Sequence, residues 1–227
     1  MTKIEWTDVV WNPVTGCDKV SLGCRNCYAE AFAKRLQAMG CAKYADGFKV
    51  TLHPDVLNLP KKWRKPKRIF VNSMSDLFHA DVPTAFIQDV FKVMNECERH
   101  TFQILTKRPE RLSEINELVE WTNNIWMGVT IENNEVYERI DLLRACNAYL
   151  KFLSCEPLIS SLDGINLNGI DWVIVGGESG HNAREMKEEW VAELYANCFE
   201  ERIPFFFKQW SGKANIESPL NDIKQFP

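Results

Sequence analysis

Three cysteines, Cys17, Cys24 and Cys27, fall within eleven residues at the spacing C-x6-C-x2-C, in the segment NPVTGCDKVSLGCRNCYAE at 12–30. A structural zinc site normally takes four ligands, usually as two separated pairs. No second pair follows here, and the nearest later histidine, His53, has no ligand-pair spacing. Three thiolates on one loop instead suit an iron–sulfur cubane with one iron left open, because such clusters are held by cysteine thiolates. Zinc and incidental thiols stand as the alternatives. Gly16 and Gly23 each precede a cysteine and let the backbone wrap tightly. The other cysteines, Cys41, Cys97, Cys146, Cys155 and Cys198, are scattered. Cys97, Cys146 and Cys198 lie in helix-like segments and read as small apolar residues. A reducing cytosol disfavours a disulfide framework.

The elements that must position this loop are legible as alternation. Short apolar runs at 69–72 (IFVN), 102–106 (FQILT), 125–130 (IWMGVT), 149–154 (YLKFLS), 172–175 (WVIV) and 204–207 (PFFF) read as strands buried on both faces of a parallel sheet. Helical periodicity appears at 28–39, 83–99, 133–147 and 186–199. Strand–helix alternation predicts an α/β fold with right-handed crossovers. With a first strand leading into Cys17 there are six or seven β/α units. A complete eight-fold barrel takes roughly 250 residues, so 227 residues fit a partial (β/α)6 TIM-like barrel with an N-terminal cluster-binding loop. A doubly wound sheet is the alternative. The expected division is one domain over 1–227, with the cluster loop at 12–30, the barrel at 4–210 and a short tail at 211–227.

Polar residues gather where each run ends: Asn72, Ser73, Ser75 and Asp76; Thr106, Lys107 and Arg108; Thr130 and Glu132; Ser154 and Glu156; Gly176, Gly177 and Glu178; Lys208 and Gln209. In α/β barrels these strand ends build the active site. One further feature is the run KKWRKPKR at 61–68, with six cations in eight residues. Lys61, Lys62, Arg64 and Lys65 could contact phosphates, and Trp63 could stack on an unpaired base. A solvated run before a buried strand explains it equally well.

The composition is that of an ordinary globular chain, 45% hydrophobic and 26% charged, with a net charge of −4. That charge excludes a general polyanion-binding field but not a local basic groove. No apolar run approaches the ~20 residues of a membrane span. The N-terminus lacks the pattern of a secretory signal. A cytoplasmic protein without a membrane partner is expected.

NP-x2-GC…GC-x2-CYA resembles the cluster loop of the radical S-adenosylmethionine superfamily, in the branch near spore photoproduct lyase. FVNSMSDLFH (70–79), LTKRPERL (105–112), SCEPLI (154–159), VGGESG (175–180) and FFKQW (206–210) are similar to a phage and bacterial subfamily of these enzymes. The superfamily's usual spacing is C-x3-C-x2-C. Here the first gap is longer, and Asn26 stands where an aromatic usually precedes the third cysteine, with Tyr28 following it.

The resemblance implies a partial barrel with a 4Fe–4S cluster on Cys17, Cys24 and Cys27. S-adenosyl-L-methionine would chelate the open iron, and one electron from a flavodoxin- or ferredoxin-like reductant would cleave it to methionine and a 5′-deoxyadenosyl radical. It further implies that Ser73 and Asp76 hold the methionine amine, and Tyr28 and Asn72 join them as cofactor-binding candidates. Lys107 would meet the methionine carboxylate, and Thr130 and Glu132 would make ribose or carboxylate contacts. Glu156 and Glu178 would accept from adenine, ribose or substrate, and Gly176 and Gly177 would let backbone approach the adenine. Glu156, Glu178, His53 and His79 are the catalytic candidates, and Arg108 joins the basic run as a nucleic-acid candidate. The leading expectation is modification of a nucleobase in phage DNA, such as thymidine hypermodification, with DNA carrying a modified base as partner. A radical enzyme on a free nucleotide, metabolite or peptide, a DNA-repair lyase and a non-enzymatic metal-binding module are the competing readings.

Overall fold

The computed structural model describes residues 4–179, 182–212 and 216–227. Seven strands form one sheet: β1 (Val9–Trp11), β4 (Arg68–Val71), β5 (Thr101–Thr106), β6 (Ile125–Thr130), β7 (Leu150–Cys155), β8 (Trp172–Gly176) and β9 (Phe205–Gln209), adjacent in that order. Every pairing among them is parallel. The order follows the chain and never reverses. A doubly wound sheet must reverse at a switch point, so that alternative is excluded. The sheet curls into a half-barrel with β1 and β9 as its edges.

Helices α1 (Tyr28–Ala38), α2 (Thr84–Asn95), α3 (Pro109–Ile115), α4 (Glu138–Arg144) and α5 (Glu188–Glu200) lie between successive strands. The connection from β7 to β8 carries no helix among the described residues. Its Leu158, Leu162, Ile165, Leu167 and Ile170 bury themselves where a helix would otherwise pack. A second, two-stranded sheet pairs β2 (Val14–Thr15) antiparallel with β3 (Thr51–Leu52) and braces the entry to the cysteine loop.

The strands read as continuous apolar runs because both faces are covered. Outward side chains such as Ile69, Val71, Ile104, Met127, Val173 and Phe207 share one cluster with Ile87, Val90, Leu112, Ile140 and Val191 of the helices. Inward side chains Phe70, Phe152, Trp172, Ile174 and Phe206 form a second cluster with Trp6. Trp6 packs at a tilt against Phe70 at 4.6 Å and meets Trp172 edge-on at 6.4 Å. These aromatics close the end of the half-barrel where the strands begin, leaving the opposite end open.

The C-terminal segment is part of the fold rather than the tail expected at 211–227. Gln225 donates its backbone N–H to Phe205 O at 3.0 Å and accepts from Trp172 Nε1 at 2.9 Å. Phe226 packs on Trp172, on Phe206 and under the Arg68 guanidinium. Lys224 pairs with Glu5 at 2.7 Å, which ties the two open edges together at the closed end.

Candidate active site

The cysteine loop leaves β2 through Gly16, whose φ is +86°. A Cβ there would stand 2.1 Å from the Lys49 carbonyl oxygen, so only glycine passes. Cys17 then donates its N–H to Phe48 O at 3.2 Å. From here to α1 the loop is held by side chains from the ends of the strands. His79 Nε2 bonds Asp18 Oδ2 at 3.1 Å while its Nδ1 accepts from Asp81 N, which places the ring proton on Nε2. Arg108 reaches Asp18 O at 3.3 Å and Cys17 Sγ at 3.9 Å. Glu132 accepts from Gly23 N at 3.3 Å through one carboxylate oxygen and from Arg139 at 2.9 Å through the other. Glu178 accepts from Asn26 Nδ2 at 2.9 Å and pairs with Arg184. Cys27 closes the loop as the residue before α1.

This scaffold leaves all three cysteines half-buried on the wall of one cavity of about 1300 Å³. Burial, with the Asp76 charge adding to it, pushes the Cys17 thiol up to about 11 although Arg108 opposes the shift. Such a thiol keeps its proton at neutral pH unless a metal displaces it. Among the described residues no group of three or more His, Cys, Asp or Glu side chains is gathered as it would be around a metal ion. A cubane spreads its thiolates over several irons, so its ligands need not converge on one point.

Much of the rest of the cavity wall comes from the C-terminal strand ends, while Trp6, Asp8, Trp63 and Phe70 line its other side. Asn72, Ser73, Asp76, Lys107, Thr130 and Glu156 all line it, as does Tyr28 from α1. Lys107 Nζ lies 3.2 Å from Thr130 Oγ1, one strand away. Asn72 has φ +61°, accepts from Val14 N, and keeps a buried Nδ2 without a partner. Tyr28 donates its hydroxyl to Ser73 O. Asp76 is different: its carboxylate already accepts from Phe78 N, Thr106 Oγ1 and Lys107 N. Those donors make it a clamp between the ends of β4 and β5 rather than a free acceptor for an amine.

Several expected site residues stand elsewhere. Glu132 is fully buried against Arg139 and off the cavity wall, so it offers nothing to a ribose. Glu178 also faces the loop rather than the cavity. Burial alone would raise its carboxyl, but the bonds from Arg184 and Asn26 outweigh this and hold it below the ordinary carboxylate range. Gly177 points outward, where a Cβ would meet Ser211 Oγ at 2.3 Å, so its smallness serves packing and not an adenine. Gly176 does face inward, between Glu156 and Lys208. His53 bonds Thr15 Oγ1 at 2.7 Å beside the small sheet, and burial lowers its pKa. His79 positions Asp18, as described. Neither histidine lines the cavity.

The basic run is displaced most. Lys61, Lys62, Arg64 and Lys65 are exposed. The run leads into the start of β4, so it sits at the closed end of the half-barrel, opposite the cysteine loop. Lys61 pairs with Glu96 at 2.5 Å. Trp63 packs against the core with its ring edge-on to His100, the residue just before β5, and also lines the cavity. Arg108 does not belong with this run at all, since it lies against Cys17 and Asp18 at the other end.

One wall residue, Asn12, was not picked out from the sequence, and two of the strand-end residues, Ser154 and Lys208, were given no role there. Asn12 accepts from Ser73 Oγ at 3.2 Å. Ser154, next to last in β7, is fully buried with an unpartnered Oγ. Lys208, from β9, pairs with Glu156 at 2.6 Å. Each follows an apolar run by the same strand-end rule that singled out Lys107, and that was the available signal.

A family model described as "Protein of unknown function (DUF5131)" matches residues 1–222. No curated protein matches the sequence. Among solved structures, the chain is similar to a mutant of spore photoproduct lyase with bound AdoMet and dinucleoside spore photoproduct, at 10% identity and a TM-score of 0.50. That match covers 92% of this chain and 62% of the lyase chain. Spore photoproduct lyase complexed with dinucleoside spore photoproduct matches at 12% identity and a TM-score of 0.46, over 91% and 61% of the two chains. This chain thus spans less than two thirds of the lyase length, and the first match supports the half-barrel fold.

Proposed function

The chain belongs to the DUF5131 family, and from its site we propose that it is a radical S-adenosylmethionine enzyme carrying a 4Fe–4S cluster on Cys17, Cys24 and Cys27. The observation that carries this reading is the placement of three thiols from one clamped loop on a single large cavity at the open end of a parallel half-barrel. The donor set fits the cluster, being all sulfur and lacking a fourth protein ligand. The wall fits polar ligands, because Asn72 Nδ2, Ser154 Oγ and Glu156 Oε1 are buried there without partners. Buried polar atoms are nearly always paired, so three orphans in one cavity mark a place for a ligand. Ligand pockets typically run to about 1,000 Å³ at the upper end. A cavity of about 1300 Å³ therefore leaves room for a substrate beside a cofactor.

When bound, the cluster and S-adenosylmethionine would supply reductive cleavage to methionine and a 5′-deoxyadenosyl radical, using an electron from a flavodoxin- or ferredoxin-like donor. The chain's residues bind and orient. Lys107, a point positive charge steered by Thr130, would meet the methionine carboxylate. Asn72 Nδ2 would donate to the cofactor. The aromatic floor of Trp6, Phe70, Phe152, Trp172 and Phe206 excludes water from below. The spore photoproduct lyase structure holds AdoMet together with a dinucleoside. A nucleobase in DNA is carried over to this chain as one substrate class, beside free nucleotides, metabolites and peptides. Of the basic run only Trp63 reaches the cavity, so the run gives DNA no preference over the other classes.

Lys107→Ala is the test of cofactor placement. It should weaken S-adenosylmethionine binding roughly tenfold or more, the scale of one charge-assisted hydrogen bond, with iron content equal to the parent. Calorimetry on the anaerobically reconstituted protein reads this directly. Unchanged affinity at full iron content removes Lys107 from the site.

A further inference from the structure

We propose that Glu156 and Lys208, with Ser154 beside them, form the substrate subsite of the cavity, and that the group it takes is a neutral amide. Glu156 receives the amide N–H, and the Lys208 ammonium donates to the carbonyl oxygen. This rests on the reading that the cavity holds a substrate, but not on the presence of the cluster.

The pair joins two strands. Glu156 follows β7 and Lys208 belongs to β9, the last strand of the sheet, and Lys208 Nζ lies 2.6 Å from Glu156 Oε2. Gly176 of β8 lies between them, with a Cβ position in van der Waals contact, 3.4 Å, with both side chains. The bond to Lys208 leaves Glu156 Oε1 buried and without a donor, and Ser154 Oγ is in the same state. An unpaired buried acceptor is costly, and its persistence at a cavity wall points to a donor that arrives with a ligand. The terminal torsion of a glutamate is soft, so the carboxylate can turn this oxygen towards an entering N–H. Lys208 has three donors, of which Glu156 uses one.

An acceptor and a donor side by side match the N–H and C=O that a primary or cis amide presents on one edge. A ligand carrying net charge fits less well. The pair is already neutral, and a further charge would stand unpaired near Phe152, Ile174 and Phe206. A ketone or an ester would satisfy Lys208 but leave Glu156 Oε1 orphaned.

The test uses ligand-observed saturation-transfer NMR on the whole chain, both as purified and after anaerobic reconstitution. The probes are δ-valerolactam, its N-methyl derivative, and δ-valerolactone. The lactam presents N–H and C=O on one edge, and the other two lack the N–H. The lactam should bind at least about tenfold more tightly than either analogue. Glu156→Ala should remove that preference, while Lys62→Ser, at the closed end, should keep it. The comparison among probes on the parent protein needs no variant and stands even if Glu156→Ala folds poorly. Equal binding of the three probes, no lactam binding, or a preference that survives in folded Glu156→Ala overturns the proposal. Iron content of the same samples reports on the cluster separately, so failure of one reading is distinguishable from failure of the other.

Discussion

Cys24→Ala, reconstituted anaerobically with iron and sulfide, is expected to lose the full 4Fe–4S cluster, and Cys17→Ala and Cys27→Ala to behave the same way. A cluster held by three thiolates has no spare protein ligand. Four of the other five cysteines give no rescue. Cys97, Cys146, Cys155 and Cys198 are buried in the outer core, and burial raises the thiol pKa of each. Cys146→Ala is therefore expected to retain parental iron and visible absorbance. Iron and sulfide analysis decides the matter, and a four-iron cluster in Cys24→Ala would remove the assignment.

The second large effect concerns stability rather than iron. Glu132→Ala is expected to destabilise the fold by about 3–5 kcal/mol, because it leaves the buried Arg139 guanidinium without its carboxylate. Glu132 is fully buried, and the Arg139 side chain is only 6% exposed. The same change frees Gly23 N, so the cysteine loop loses its contact with the end of β6. Replacing both partners, Glu132→Leu with Arg139→Met, should recover much of the stability while leaving the loop loose. Denaturant melts of the two variants separate these contributions. A Glu132→Ala midpoint equal to the parent would show that the pair is not a clamp.

Much of this was legible in the sequence, for physical reasons. A strand buried on both faces must be apolar throughout, so β4 to β9 announce themselves to within a residue or two, and the polar residue that ends each run falls at the open end. That rule placed Lys107, Thr130, Asn72 and Glu156 on the wall. It failed where a side chain turned aside beyond its strand. Glu132 follows the same alternation as Thr130, yet it buries against Arg139, a partner seven residues away that no local pattern marks. Glu178 similarly answers to Arg184 and Asn26.

Some misplacements had an available signal. A basic run that precedes a strand lies at the start of that strand, and in a parallel half-barrel that is the end opposite the residues that follow the strands. Strand alternation also separates Gly176 from Gly177: Trp172, Ile174 and Gly176 face in, and Val173, Val175 and Gly177 face out. The closing role of Phe226 was not legible, since a lone aromatic in a polar tail has no periodicity to place it.

The most direct test of the central claim is to measure 5′-deoxyadenosine and methionine after S-adenosylmethionine is added to the reconstituted, dithionite-reduced parent protein under anaerobic conditions. Both products should form, and neither should appear with Cys24→Ala. A parent protein that holds its full cluster and still yields no 5′-deoxyadenosine above that control would contradict the account.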